Sequence, residues 1–494
     1  MSAATRRWLD RSGAGQRRSW PDDDPSGEWV AEPVPGQRPP SRPAPGEFTG
    51  EWATGEWARP RARTVAVTDA GEAEPAAGVP RLLATVRPDG RPVSLAEHQR
   101  AYGPLRPAAA FRLIAESGLR GRGGAGFPTE AKVRAVRAAR GKAVVVANGA
   151  ATDPLGEKDT FLLARLPHLV LDGAQVAAEA VEARQILLHV VERPAVLHAV
   201  EHALVERRRA RLDEVPMKLV PAPDRYVTGE SSAAAQHLSG GSALPVFRPP
   251  HTADRGVKGR PTLVQNVETL ANLALLARHG SAWFRRIGSA EEPGTLVLTI
   301  RGAVAQPAVV EVPVGATVEQ ALSGVGWLTE PVGAVLVGGC AGRWLPATTA
   351  YAAPLSHAGM AAVGGSLGAG IVIALPDRAC GLDETARLAR YLAEQSAGQC
   401  GACLNGLPAI AGALTDLAVG EGDRGTVQRL LRWCGSVAGR GACTHPDGTA
   451  GLVASALEVF AGHVDRHLSG GCGRPLRGVL PLPEARRQRR RGTR

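Results

Sequence analysis

The chain has 494 residues, 44 % of them hydrophobic, 21 % charged and 4 % aromatic, with a formal charge of +11. That length provides for several domains and a large core, and it excludes a disulfide-stapled miniprotein or a wholly disordered chain. No apolar run reaches the roughly eighteen residues that a spanning helix needs, and seven cysteines in so long a chain read as reduced intracellular thiols.

Residues 1–85 read as a disordered Pro/Gly/Arg-rich tail in which a small residue, Gly, Glu and an aromatic recur, as at Ser26–Trp29, Thr49–Trp52 and Thr54–Trp57. Thr5-Arg6-Arg7-Trp8-Leu9 is similar to a twin-arginine signal, but polar residues Asp10 to Asp24 follow where an apolar stretch would be needed. Apolar spacing predicts helices over Ala108–Ser117, Pro167–Ala183 and Pro194–Arg209, and strands over Ala143–Ala147, Gln185–Val191 and Met217–Pro221. This alternation predicts a parallel α/β domain over 86–295. Residues 296–375 read as a small α+β module, with strands at Thr295–Arg301, Ala308–Val312 and Ala334–Gly338 and a helix at Thr317–Leu322. Residues 376–472 read as a four-helix bundle with breaks at Gly406, Gly420–Gly422 and Gly435–Thr449. Residues 473–494 form a basic tail without interleaved aromatics, so no nucleic-acid partner is expected.

Two stretches carry chemistry. Leu119–Thr129 contains Gly121, Gly123, Gly124 and Gly126 beside Arg120 and Arg122. A helix precedes it where a dinucleotide fingerprint would have a strand; what remains is a loop of exposed N–H groups entering a helix, suited to a phosphate and to close approach of a flat ring. The second is Cys400-Gly401-Ala402-Cys403, with Cys443 some forty residues on. On spacing alone an iron–sulfur cluster, zinc held by Cys400, Cys403, Cys443 and His445, and unliganded thiols all remain open. Cys340, Cys380 and Cys472 read as isolated packed or exposed thiols.

Ser117–Thr129, Tyr226–Glu230, Pro261–Thr269 and Ser396–Cys403, in that order, resemble the motifs of the NADH-oxidising FMN/iron–sulfur flavoprotein subunits of respiratory complex I and of NAD-linked hydrogenases and formate dehydrogenases. The resemblance spans about residues 105 to 465. It implies an FMN-binding α/β domain, a ubiquitin-like (SLBB) module and a helical bundle holding a 4Fe-4S cluster. On it, Gly121, Arg122, Gly123, Gly124 and Lys132 cradle the FMN phosphate and ribityl side, with Phe127, Asn148, Tyr226, Gly229, Glu230 and Asn266 around the rest. Asp153 and Glu230 are the carboxylates left for catalysis, and Cys400, Cys403 and Cys443 are the metal ligands. It further implies an NADH dehydrogenase-like oxidoreductase subunit in the cytoplasm, with NADH as donor and a ferredoxin-like or other iron–sulfur protein, or a larger oxidoreductase complex, as partner.

The chain also departs from the family's pattern. Ala397 stands at the first position of the C-x-x-C-x-x-C, so three thiolates would hold a 3Fe-4S cluster, or a 4Fe-4S cluster whose fourth iron takes water, Ser396, His445 or Cys434. The family's acidic stretch reads Asn148-Gly149-Ala150-Ala151-Thr152-Asp153, and its second Glu after Gly229 is Ser231. His251, Arg248 and Val133 replace an aromatic, a lysine and a tryptophan. FMN binding is therefore expected to survive better than NADH binding. A fold-retaining scaffold that no longer oxidises NADH is the alternative.

Overall fold

The computed structural model describes residues 61–64, 81–105, 109–247, 249–474 and 478–483. The expected Gly-Glu-aromatic repeats, the twin-arginine-like start, Arg248 and the terminal arginines lie outside the described residues. Strands β1 (Arg61–Thr64) to β10 (Ile371–Pro376) form two sheets. The first is all parallel, in the order β4-β3-β2-β5, from β2 (Val144–Gly149), β3 (Ile186–Val191), β4 (Met217–Ala222) and β5 (Thr262–Asn266). It confirms the mixed α/β reading with a parallel sheet. Because strands buried on both faces must be apolar throughout, β2 begins with a Val144–Ala147 run and β3 is buried along its whole length.

Helices cover this sheet: α1 (Ala110–Ser117), α2 (Thr129–Ala138), α3 (Pro167–Ala180), α4 (Pro194–Arg209), α5 (Ser231–Leu238) and α6 (Val267–Phe284). Helices α3 and α6 meet closely because position 173 is glycine: a Cβ there would lie 1.7 Å from the Leu270 carbonyl oxygen.

The second sheet, of mixed direction, runs β1-β7-β6-β10-β8-β9, from β6 (Thr295–Gly302), β7 (Ala308–Pro313), β8 (Val332–Val337) and β9 (Arg343–Pro346) with β1 and β10. Alternation divides its residues between two cores. Leu336, Ile371, Ile373 and Leu375 pack with the C-terminal helices. Val335, Val337, Val372 and Ala374 join the core under the sheet's own short helices. The C-terminal helices are α7 (Gly381–Glu394), α8 (Leu407–Ala418), α9 (Arg424–Val437), α10 (His445–Val459) and α11 (Ala461–Leu468).

Two segments read as tail belong to the fold. Arg61–Thr64 pairs in parallel with β7, and the backbone N–H groups of Arg81, Leu82 and Leu83 all donate to the buried Glu311 carboxylate at 2.9–3.0 Å. At the other end Leu480 is buried and its N–H reaches Glu384 on α7. Neither segment has the local period that marks a helix or strand, so its order comes from distant partners. Among the described residues no helix is long and apolar enough to cross a membrane.

Candidate functional site

In the parallel sheet the chain runs outward from β2 to β3 to β4, then returns to lay β5 on the other side of β2. The connections therefore part between β2 and β5, and the crevice beyond the C-terminal ends of those strands is where such sheets bind ligands. Asn148, next to last in β2, and Asn266, last in β5, are register partners. Asn148 Nδ2 donates to the Gly229 carbonyl (2.8 Å), and Asn266 Nδ2 to Asp159 (2.6 Å). The Asn266 side-chain oxygen accepts from Glu268 N–H and caps α6.

The glycine loop crosses this point. Its base is closed by Gly121 N–H to Phe127 O (2.9 Å) and Thr129 N–H to Leu119 O (3.0 Å). Gly124 (φ +115°) and Gly126 (φ +61°) supply backbone that side chains resist, and a Cβ on Gly126 would strike the His357 ring. Gly123 is exposed and abuts Asn266, where a Cβ would sit 3.1 Å from the asparagine Cβ. Phe127 is 51 % exposed. Lys132, on the first turns of α2, makes one long contact to Val264 O (3.4 Å). Burial lowers its pKa, and no carboxylate offsets that.

Arg122 does not face the crevice. It is buried, its N–H donates to Thr269 Oγ1 and its guanidinium to Pro293 O (3.1 Å). Behind the loop lies a small cleft lined by Gly121, Arg122, Lys158, Glu268 and His357 among others. The sequence reading missed Lys158, whose buried ammonium holds the Arg122 carbonyl (2.8 Å) and pairs with Asp159 and Glu268. Burial works against its charge, but the two carboxylates outweigh burial and raise its pKa. A lysine is itself a signal in a chain with five among 58 basic residues.

The opposite wall is the 3₁₀ turn Tyr226–Gly229. Gly229 approaches so closely that a Cβ would lie 2.6 Å from Ala150 O. Tyr226 O accepts from Thr152, and Tyr226 N–H donates to Gln395. The Glu230 carboxylate is committed to capping α5, taking the N–H groups of Ser232 (2.9 Å) and Ala233 (3.0 Å) and the Ser232 hydroxyl. Asp153 is brought elsewhere: its carboxylate accepts from Cys340 N–H (2.9 Å) and Sγ–H (3.2 Å), and burial raises its pKa.

The fold also gathers Cys400, Cys403 and Cys443. Burial raises the Cys400 pKa, but N–H groups of Ala442, Cys403 and Ala402 and the Cys403 thiol outweigh it and hold it below the ordinary value. Burial, with Cys400 and Cys443 adding to it, pushes Cys403, on a π-helical turn (Ala402–Gly406), up to about 12 against the opposing Gly398 N–H, and burial raises Cys443 as well. Only at Cys400 does N–H···S donation prevail and favour anionic sulfur. Cys434 is buried in α9, with no other thiol among the groups that shift it. His445 Nε2 lies 2.8 Å from Leu392 O, while its buried Nδ1 has no partner.

Three comparisons bear on this arrangement. A family model described as the Nuo51 FMN-binding domain matches residues 114–275, and one described as the NADH-ubiquinone oxidoreductase-F iron–sulfur binding region matches 383–467. An F-type NADH-quinone oxidoreductase subunit of Rhizobium meliloti is 29 % identical, covering 77 % of this chain and 95 % of its own. Its counterpart in Streptomyces coelicolor is 28 % identical, covering 74 % and 85 %. The crystal structure of a NAD+-reducing NiFe hydrogenase in the H2-reduced state superposes with a TM-score of 0.68 at 28 % identity over 74 % of this chain. The chain spans 63 % of that hydrogenase chain. Glycine loop, paired asparagines and gathered cysteines all fall inside the matched segments, and over that span the chain is similar to the F-type flavoprotein subunits of NADH oxidoreductases.

Proposed function

We propose that the chain is an electron-transfer subunit that takes electrons from a reduced donor at an FMN between β2 and β5 and passes them to an iron–sulfur cluster on Cys400, Cys403 and Cys443. The observation that carries this reading is the shared wall Arg225–Glu230. Gly229 accepts from Asn148 at the strand ends, Arg225 donates to Ser396 O beside the cysteine loop, and the Tyr226 ring lies 5.4 Å from that of His445. One rigid segment thus adjoins both candidate sites.

Bound FMN would supply the conversion of a two-electron donor into single-electron steps, which no side chain provides. The residues present fit it: Lys132 is a half-buried cation lacking an anion, and Gly123 leaves the strand ends uncovered. The donor set, three gathered thiols, fits a cluster, with backbone N–H groups favouring anionic sulfur at Cys400 and Ala397 in place of a fourth cysteine. Residues 296–375 read as the SLBB module and 376–472 as the cluster-bearing bundle. We place the protein in the cytoplasm, with a ferredoxin-like or other iron–sulfur partner, alone or in a larger complex.

A second reading, a scaffold without NADH oxidation, is favoured by the committed Glu230 carboxylate and by Ala150, Ala151 and Ser231. Anaerobic protein should contain FMN, iron and acid-labile sulfide and show a flavin spectrum bleached by a reductant. Ala397→Cys should abolish any 3Fe-4S paramagnetic signal. Flavin-free, iron-free protein after reconstitution would reject the first reading. Bleaching by dithionite but not by NADH would favour the second.

A further inference from the structure

Cys380 and Cys472, isolated in sequence, come together with His467 at the far end of the C-terminal helices. Cys380 is the N-cap of α7, His467 lies in the last turn of α11, and Cys472 lies in the turn beyond it. Cys380 Sγ and His467 Nε2 are 3.2 Å apart, and the Cys472 Sγ completes a group whose ligand atoms all lie within 4.8 Å of one another. Cys380 and His467 are buried and Cys472 is partly exposed.

We propose that Cys380, His467 and Cys472 bind one thiophilic divalent cation of the zinc class, with solvent in the fourth position on the partly exposed Cys472 side. Tetrahedral zinc with Zn–S about 2.3 Å and Zn–N about 2.0 Å sets its ligand atoms about 3.5–3.8 Å apart, which the trio reaches with small side-chain rotations. Among the described residues this is the only group of three that tight; Cys400, Cys403 and Cys443 do not form one. Two thiolates balance a doubly charged ion, so the buried site carries no net charge. Leu382 and Asp383 N–H groups point at the Cys380 sulfur, and Asp383 is the carboxylate acting on His467. The buried His467 Nδ1 has no partner among the described residues, and its Nε2 faces the Cys380 sulfur. A Cys380–Cys472 disulfide would strand that nitrogen too; a metal uses all three groups.

The ion would act as a clip. Cys380 and His467 are 87 residues apart and bracket the stretch of chain that contains Cys400, Cys403 and Cys443. Closing so long a loop through metal bonds converts binding energy into stability of that whole region. Two protons leave the thiols when the ion enters.

The test uses the full chain, purified anaerobically and desalted, with zinc, iron and flavin measured on one sample. We expect about one zinc per chain, lost in both Cys472→Ser and His467→Gln and retained in Cys400→Ser. Iron and flavin should be unchanged in Cys472→Ser. Cobalt(II) added to zinc-stripped protein should give tetrahedral visible bands and a thiolate charge-transfer band that Cys472→Ser removes. Absence of zinc together with no cobalt bands, zinc that follows Cys400 instead of Cys472, or a Cys380–Cys472 disulfide in the anaerobic protein would each overturn the proposal. Iron and flavin contents report separately on the electron-transfer reading.

Discussion

Lys132 and Gly123 make opposite contributions to the crevice. Lys132 has no carboxylate to lose, so Lys132→Met should leave the unfolding midpoint unchanged or slightly raised. It should weaken FMN by about 2 kcal/mol, roughly thirtyfold, if the ammonium meets the phosphate, and Lys132→Arg should restore much of that. Flavin titration followed by fluorescence reads both. Gly123→Val has ordinary backbone angles available but pushes a branched side chain into Asn266 and across the strand ends. It should empty the flavin site while circular dichroism stays unchanged. At this scale the loop glycines were legible from their density beside Arg120 and Arg122, and Asn148 and Asn266 through the family resemblance. It could not display where Arg122 points, since that depends on the Pro293 carbonyl 171 residues away.

The strand–loop–helix elements of the parallel sheet were legible from period and punctuation: β3 and α4 lie where apolar spacing predicts them. What no window of sequence contains is the post that supports the glycine loop. Lys158 and Glu268 are 110 residues apart, on the helix Lys158–Arg165 and on α6, and they meet only because both flank β2 and β5. Lys158→Met would leave two carboxylates without their cation and the Arg122 carbonyl without its donor. A loss of about 3–5 kcal/mol is expected, read from the denaturant midpoint, with flavin retention falling alongside. Lys158→Arg, too long and forked for the space, should rescue only in part.

For the whole molecule, acid should unlock the parallel sheet. His189 on β3 is fully buried, and its Nε2 lies 3.1 Å from His237 Nδ1. Burial, then His237, lowers its pKa from 6.5 to about 4. A depressed histidine stabilises the folded state above its unfolded pKa, and that stability is lost as pH falls from 6.5 towards 4. On the order of 2 kcal/mol should disappear between about pH 7 and pH 5, and His189→Gln should flatten that slope in equilibrium unfolding. Sequence reading could place His189 in a strand but not predict its partner, which arrives on α5. The same limit hid the company of Cys380 and Cys472: proximity across 87 residues or more is written in tertiary packing.

The parallel pairing of Arg61–Thr64 with β7 bears on solubility. It converts β7, whose Val309, Val310 and Val312 are fully buried, from a terminal strand of its sheet into an internal one. A chain begun after Thr64 would present β7's unpaired N–H and C=O groups as a template for another molecule. Such a chain should keep its secondary structure yet self-associate, with light scattering that climbs with concentration.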